Sequence, residues 1–244
     1  MTDYSQTDRF ARGLAVASLV ISVAAILVPY IQHRSVFNEQ KRQFAASQKE
    51  ELTVHLDPHA DGPFRITKYS IEMSHVVQIP WEVTLSNTGN QQLSVIEYCI
   101  TLGPPPNFGG SYSGIDGGMF TKEDRAVDLP LAIEPGESRS VLIFVGICVP
   151  AEAYGVLSAI EDTNLRTVDH AAIALAKQGL DIYGNKVTYR EYAQGSYHVT
   201  FEDEAPFSQR FWLRVVTGRG NISVASARLY KYERASDGIF HTPK

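Results

Sequence analysis

The run from Gly13 to Ile31, GLAVASLVISVAAILVPYI, constrains this chain more than any other stretch. It contains nineteen residues and no formal charge. A helix of that length, rising about 1.5 Å per residue, extends roughly 28 Å, close to the hydrocarbon thickness of a bilayer at about 30 Å. The run is longer than the apolar core of a signal peptide, roughly 7–15 residues, and no small-x-small cleavage site follows it. The sequence therefore predicts an uncleaved transmembrane helix over residues 13–31 and a single-pass protein of the cell membrane.

Basic residues on the two sides of this helix bear on the orientation of the chain. The N-terminal tail, residues 1–12, carries Arg9 and Arg12. The segment after the helix carries four basic residues: Arg34, Lys41, Arg42 and Lys49. Positive-inside counting, with a margin of two residues, favours a cytoplasmic position for the rest of the chain. Export of the domain, with the short tail left inside, stays open as the alternative.

Residues 32–51 join the predicted anchor to the remainder of the chain. The part from Ser35 to Glu51 is rich in helix formers and lacks Gly and Pro, so we predict a juxtamembrane helical stalk. Its two heptads are too few to indicate a coiled coil. Small residues recur four positions apart in the anchor and permit close approach of two helices. Self-association through anchor and stalk is therefore kept as an alternative.

From Leu52 onward the spacing of apolar residues changes from a helical period to a period of two. Alternation of this kind over Val76–Leu85 and Ile96–Leu102 is typical of β-strands with one buried face. The run Val141–Val149 is apolar on both faces and predicts a central, doubly covered strand. Turn-forming clusters of Asn, Gly and Pro separate these stretches.

One segment of the domain departs from this pattern of strands. Residues 169–178, DHAAIALAKQ, predict a short helix with Thr167 or Asp169 as its N-cap. We therefore predict a mainly β domain over residues 52–235, an antiparallel β-sandwich of seven to nine strands in two layers with a short inserted helix. Residues 236–244 form a C-terminal tail.

Two turn motifs of the domain carry a resemblance to a known class of protein. An apolar strand is followed by N-x-G, an alternating strand, P-G-E and another apolar strand, and the motif residues are Asn87, Gly89, Pro135, Gly136 and Glu137. This order resembles bacterial immunoglobulin-like β-sandwiches over Leu52 to Val149. The whole layout is similar to uncharacterised bacterial membrane proteins with one anchor. The resemblance implies a fold and a topology, and no activity.

Composition excludes several functional classes. The net charge is −5 and the sequence pI is about 5.8 with dispersed basic residues, whereas nucleic-acid binders usually show a basic stripe. Nucleic acid is therefore not an expected partner. The two cysteines, Cys99 and Cys148, are too few for a disulfide scaffold, and their apolar surroundings favour buried thiols over a single bridge.

Patterns typical of catalytic or metal sites are weak. Asp57, His59 and Asp61 alternate like metal ligands, but the twelfth position of a calcium loop beginning there is Lys68, and a turn explains the composition. His170 beside Asp169 forms no dyad, because adjacent helix residues point about 100° apart. We predict no catalytic residue, no metal ligand and no cofactor.

The long loop over residues 103–118 is the best candidate for a binding surface. It is rich in Pro and Gly but lacks the Gly-Lys-Ser/Thr of a phosphate cradle. Loops of this length are often functional, and Phe108, Tyr112 and Ile115 are its apolar residues available for a binding tip.

By exclusion and by analogy with anchored sandwiches, we predict a membrane-anchored module that recognises a protein or ligand. Two alternatives stay open: a structural subunit of a membrane or envelope complex, and a hydrolase with dispersed site residues.

Overall fold

The structure is a computed structural model that describes residues 25, 27, 29–41, 43, 50–160, 166–192 and 196–229. The chain divides into two compact units, Met1–Lys49 and Glu50–Lys244. In the first unit residues 29–41 form a helix, α1. Residues 32–41 of the predicted stalk are therefore helical, as predicted. Residues 25 and 27 are also helical; the rest of the predicted anchor before residue 29 lies outside the described residues. Within the ranges given above, no helix is both long enough and apolar enough to cross a membrane.

The second unit is mainly β, as predicted. Its strands are β1 (Leu52–Pro58), β2 (Arg65–Ile71), β3 (Ser74–Asn87), β4 (Leu93–Thr101), β5 (Asp116–Phe120), β6 (Leu131–Ile133), β7 (Ser138–Pro150), β8 (Val187–Glu191), β9 (Tyr197–Phe201), β10 (Arg210–Thr217) and β11 (Ile222–Arg228). Its helices are α2 (Ala151–Ile160) and α3 (Val168–Lys177).

The strands form antiparallel sheets, which confirms that part of the prediction. The first sheet has the order β1-β3-β7-β5, and β2 pairs with β3 beside β1. The second has the order β11-β10-β4-β6, and β8 and β9 form a separate hairpin. β3 and β7 pair along almost their whole lengths, from Ser74 opposite Pro150 to Ser86 opposite Ser138. Ser223 on β11 donates a 2.8 Å hydrogen bond to the Leu52 carbonyl on β1, so an edge of each sheet meets the other.

The hydrophobic core lies between the two large sheets, an arrangement consistent with a β-sandwich. Trp81 on β3 packs edge-on against Phe211 on β10, with ring centroids 5.6 Å apart, and both side chains are fully buried. The alternating apolar residues of β3 and β10 face this core because successive strand side chains point to opposite faces.

The predicted double burial of Val141–Val149 is confirmed in β7. Ile143 and Val145 face the core, while Phe144 points to the other side of the sheet and is also buried. A cover on that outer side explains the burial: the Arg65 guanidinium lies 3.5 Å from the Phe144 ring centroid and Phe120 packs edge-on at 5.4 Å. The apolar run therefore serves two layers of packing.

The insertion between β7 and β10 is larger than predicted. The predicted helix over 169–178 is present as α3, and its N-cap Thr167 accepts a hydrogen bond from the backbone N–H of His170. A second helix, α2, follows β7 directly and buries Ala153 and Leu157. The sequence of this stretch is ambiguous between helix and strand, because its mixed composition has no clear period until the buried face is known; the structure shows that it is helical.

The two ends of the β domain have different structures. At the Asn87 end, β3 and β10 finish and the chain leads in through Glu50. At the opposite end, which we name the cavity end for the cavity that opens there, β4 and β7 finish and β10 begins. The loop over 103–115 therefore starts there, and the insertion over 151–209 starts and finishes there.

Candidate functional site

A cavity of about 330 Å³ opens at the cavity end of the domain. Its wall combines the turn between β2 and β3, the loop over 103–115, the end of β7 and the insertion. The lining residues are Ile71, Leu102, Ser111, Tyr112, Cys148, Tyr183, Phe207 and Gln209. None of these described lining residues carries a formal charge, and the polar groups are confined to hydroxyls, a thiol and an amide. The cavity therefore suits a neutral, largely apolar group.

Tyr112 fixes one wall of the cavity. Its hydroxyl donates a 2.7 Å hydrogen bond to the carbonyl of Gly146, and the Gly146 N–H donates at 2.8 Å to the carbonyl of Ile115. The loop can lie this close only because residue 146 is glycine: a Cβ there would stand 2.2 Å from the Gly114 carbonyl oxygen. Burial, aided by Cys148, raises the pKa of Tyr112, so its hydroxyl stays protonated and keeps donating.

The opposite wall is held by a network around Asp181. This buried carboxylate accepts hydrogen bonds from the backbone N–H groups of Tyr183 (2.9 Å) and Asn185 (2.7 Å) and from the Asn185 amide (2.7 Å). The Asn185 side chain in turn exchanges two bonds with the backbone of Phe207, at 2.7 and 2.8 Å. Tyr183 and Phe207 then pack edge to face, with ring centroids 5.4 Å apart. The aromatic wall is therefore ordered by the protein itself.

Cys148 contributes the thiol of the cavity lining. Its thiol is free and half-buried, and so is that of Cys99 on β4, which agrees with the expectation of thiols and not a bridge. Burial raises the pKa of Cys148, and its contact with the Tyr112 hydroxyl acts in the opposite direction. Because the thiolate is the reactive form, the cavity does not activate this cysteine.

Apolar side chains are exposed in the cavity lining and on the turn that follows it in sequence. Phe207 is 59% exposed although it also contributes to the lining. Met73 is 90% exposed in the tight turn that follows Ile71. Exposed apolar groups beside a cavity are typical of interaction surfaces.

The structure separates the three loop residues predicted to form a binding tip. Tyr112 lines the cavity. Ile115 is only 6% exposed and packs in the core, while Phe108 lies 5.9 Å from the Arg214 guanidinium of the second sheet. The loop folds back onto β7 and does not project, which explains why only one of the three reaches the cavity.

The alternating Asp57, His59 and Asp61 do not come together. His55 and Asp57 pair at 2.5 Å, whereas His59 points toward Glu82 at 3.9 Å. In the part of the chain that the structure describes, no group of three or more His, Cys, Asp or Glu side chains could hold a metal ion.

A polar cluster on the outer face of the first sheet bears on the hydrolase alternative. Glu82 accepts from Lys122 at 2.7 Å and from the Ser140 hydroxyl, and these hydrogen bonds lower the pKa of Glu82. A carboxylate with a lowered pKa is a weak general base near neutral pH. The cluster also lies outside the lining of the cavity described above.

No protein-family model matches the sequence, and a search of curated proteins finds no significant match.

Proposed function

We propose that this chain is a single-pass membrane-anchored recognition module whose β-sandwich domain holds a neutral apolar group of a partner in the cavity. The observation that carries this proposal is the charge-free cavity between Tyr112 and the Tyr183–Phe207 pair.

The order of the strands supports an immunoglobulin-like topology for the domain. With β1, β3, β4, β5, β7, β10 and β11 taken as strands A to G, the first sheet has the order A-B-E-D and the second has G-F-C. The N-x-G and P-G-E turns also meet in space: the Gly136 N–H donates to the Asn87 carbonyl and the Asn87 N–H to the Glu137 carbonyl, at 2.9 and 3.0 Å. The insertion after β7 then occupies the E–F connection.

The anchor part of the proposal draws on the apolar run and on the exposure of α1. Tyr30, Ile31 and Phe37 each expose about half of their side chains or more. A helix that leaves such groups uncovered needs lipid or another protein against it. The basic residues after the run favour a cytoplasmic domain.

The size and lining of the cavity define the group that it would bind. A volume of 330 Å³ is at the lower limit of small-molecule sites, which span about 300–1,000 Å³. That space accepts one aromatic or large aliphatic side chain. A charged group is disfavoured because it would lose hydration without gaining a partner. Aromatic anchors in preformed pockets commonly dominate binding energy, and the bonds around Asp181 and Tyr112 provide that preorganisation.

Alkylation of Cys148 tests the proposal because this thiol lies in the cavity. The full chain, with Cys99→Ser so that one thiol remains, is placed in lipid nanodiscs, since free detergent would compete for an apolar cavity. We expect millimolar N-acetyl-tryptophanamide to slow alkylation by iodoacetamide severalfold and N-acetyl-glycinamide to have no effect. Equal rates with both compounds would contradict the proposal.

A pair of substitutions on one loop provides the matched control. Ser111 lines the cavity and Ser113, two residues away, does not. Ser111→Trp should fill the cavity and abolish the protection by N-acetyl-tryptophanamide, whereas Ser113→Trp should retain it. If both variants retained full protection, the compound would be binding elsewhere.

A further inference from the structure

We propose that this chain pairs with a second copy of itself along the outer edge of β4, over residues 97–101. The two strands run antiparallel, and the Cys99 residues of the two copies lie directly opposite each other. None of residues 97–101 lines the cavity, so this interface is tested independently of the proposed function.

The outer edge of β4 is open between two covered stretches. β6 pairs with β4 only through residues 93–95, and Pro130, which precedes β6, has no N–H with which to extend the ladder. At the other end of the edge, the Leu102 N–H donates to the Gly110 carbonyl at 2.9 Å. Over residues 96–101, β10 is the one strand of the described chain that pairs with β4. This stretch therefore has a neighbouring strand on one side alone.

The hydrogen bond at Leu102 shows which backbone groups of β4 point outward. β10 occupies the inner side of β4, so an N–H that reaches Gly110 points away from β10. Because the backbone groups of a strand alternate with a period of two, the N–H and C=O groups of Tyr98 and Ile100 also point outward. The edge thus presents two donors and two acceptors, and such an edge is a template for another strand.

A second β4 matches these four groups in one antiparallel register. If Tyr98 of each copy lies opposite Ile100 of the other, each such pair exchanges two N–H···O bonds. A two-fold axis then passes beside Cys99, and the two Cys99 Cα atoms face each other as a non-hydrogen-bonded pair, about 4.5 Å apart. Because the same edge is used in both copies, the assembly closes at two chains.

The length and the charge of the edge favour a second copy over an unrelated strand. β6 and the 103–115 loop bound the open stretch, so only a short segment fits, and a second β4 presents one of equal length. Glu97 is the one formal charge in residues 96–101, and the Arg214 guanidinium binds its carboxylate at 2.7 Å. In the proposed register Glu97 lies opposite Thr101 of the other copy, so the two glutamates stand four positions, about 14 Å, apart. That separation exceeds the Debye length of about 8 Å at physiological ionic strength, so they repel little.

Disulfide formation at Cys99 tests this register. Full-length Cys148→Ser chains, in which Cys99 is the remaining thiol, are reconstituted in lipid vesicles and oxidised with copper phenanthroline. Directly opposed strand residues have Cα atoms within the range of about 4.4–6.8 Å that a disulfide spans, so we expect a covalent dimer on non-reducing gels.

The matched control moves the thiol by two residues on the same face of β4. Glu97→Cys, with Cys99→Ser in the same background, should dimerise at least tenfold more slowly, because its counterpart is about 14 Å away. Position 97 is exposed and Cys99 is half-buried, so random collision would favour the control. Absence of the Cys99 dimer, or an equal rate in the control, overturns the proposal.

A mixture of two variants measures the register from a second pair of positions. Glu97→Cys chains reconstituted together with Thr101→Cys chains, both carrying Cys99→Ser and Cys148→Ser, should form a mixed disulfide, since these positions lie opposite each other. Each variant alone should remain largely monomeric on the gel. Absence of the mixed disulfide overturns the proposed register.

Discussion

The two ends of the β domain differ in the groups that cover the ends of the sheets. At the Asn87 end, polar groups close the structure. Asn87, only 1% exposed, donates to the carbonyls of Gln91 (2.7 Å) and Ile133 (3.0 Å) and accepts from Gly89 N–H at 3.0 Å. Glu50 accepts from Thr217 and Asn221 at 2.6 and 2.8 Å.

At the cavity end, hydrogen bonds order the walls but do not fill the space between them. The Tyr112 hydroxyl donates to the Gly146 carbonyl, and the Asp181 carboxylate accepts from the Tyr183 backbone N–H. These hydrogen bonds lie within the walls, and the wall surfaces that face the cavity are largely apolar. The comparison teaches that polar closure at one end supplies stability, while the other end can keep an apolar opening for binding. Substitutions at the two ends should therefore affect different measurements.

The largest effect is expected at the Asn87 end. Asn87→Ala removes both donors and the acceptor and leaves buried backbone groups unpaired, which costs about 3 kcal/mol of unfolding free energy. Urea unfolding of the full chain, followed by tryptophan fluorescence, measures the loss. Asn107→Ala, in the exposed part of the 103–115 loop, is the control and should change stability by less than about 0.5 kcal/mol. A loss below about 1 kcal/mol in Asn87→Ala would remove the contrast between the ends.

At the cavity end, Phe207→Ala should affect binding more than folding. The ring is mostly exposed, so stability should change little, while affinity for N-acetyl-tryptophanamide should fall about tenfold, which corresponds to about 1.4 kcal/mol. Titration of Cys148 protection gives the affinity. Met73→Ala, exposed nearby but outside the lining, should change affinity by less than twofold. The reverse pattern, a large loss of stability with normal affinity, would make Phe207 a structural residue.

Tyr112→Phe tests whether the wall of the cavity is ordered by its bond to Gly146. Loss of one part-buried hydrogen bond should lower the unfolding free energy by about 1 kcal/mol and speed the alkylation of Cys148. Tyr192→Phe, on an exposed ring, is the matched control with no expected change. A stable variant with an unchanged alkylation rate would show that the loop is held by packing alone.

The smallest effect concerns pH. Burial raises the pKa of Asp181, against the opposing effect of its hydrogen bonds, and burial together with Asp61 raises the pKa of Asp169. At these two carboxyls the folded state binds more protons than the unfolded chain. Their contribution to stability is therefore fully present below the ordinary Asp pKa of about 3.9 and is lost as the pH rises through their folded-state pKa values.

Asp181→Asn should weaken this decline in stability with rising pH, because the amide does not titrate and its oxygen can still accept both backbone bonds. Urea midpoints from pH 4 to pH 7 measure the slope. The exposed Asp203→Asn serves as control and should keep the wild-type slope. Parallel profiles for wild type and Asp181→Asn would assign the dependence to other carboxyls.

Local sequence patterns were sufficient for the strands and not for the cavity. Period-two alternation in β3 and the doubly apolar β7 are local signals, and both were predictable. α2 was not, because only its contact through Ala153 and Leu157 reveals which face is buried.

The cavity is lined by residues far apart in sequence, such as Ile71 and Phe207, and no local sequence pattern predicts that they come together. Tyr112 was predictable as an aromatic residue in a glycine-rich loop. Its neighbour Ile115 was expected beside it, but the absence of a side chain at Gly146 lets the loop settle onto β7 and bury that isoleucine.

The assembly of one cavity from residue 71 through residue 209 has a thermodynamic consequence. An unfolded chain has no such site, so any occupant binds the folded state alone and shifts the unfolding equilibrium. A ligand present at 100 times its dissociation constant would add about 2.7 kcal/mol to the unfolding free energy. Thermal denaturation of the full chain against a panel of apolar compounds and peptides is thus a direct way to search for the natural partner.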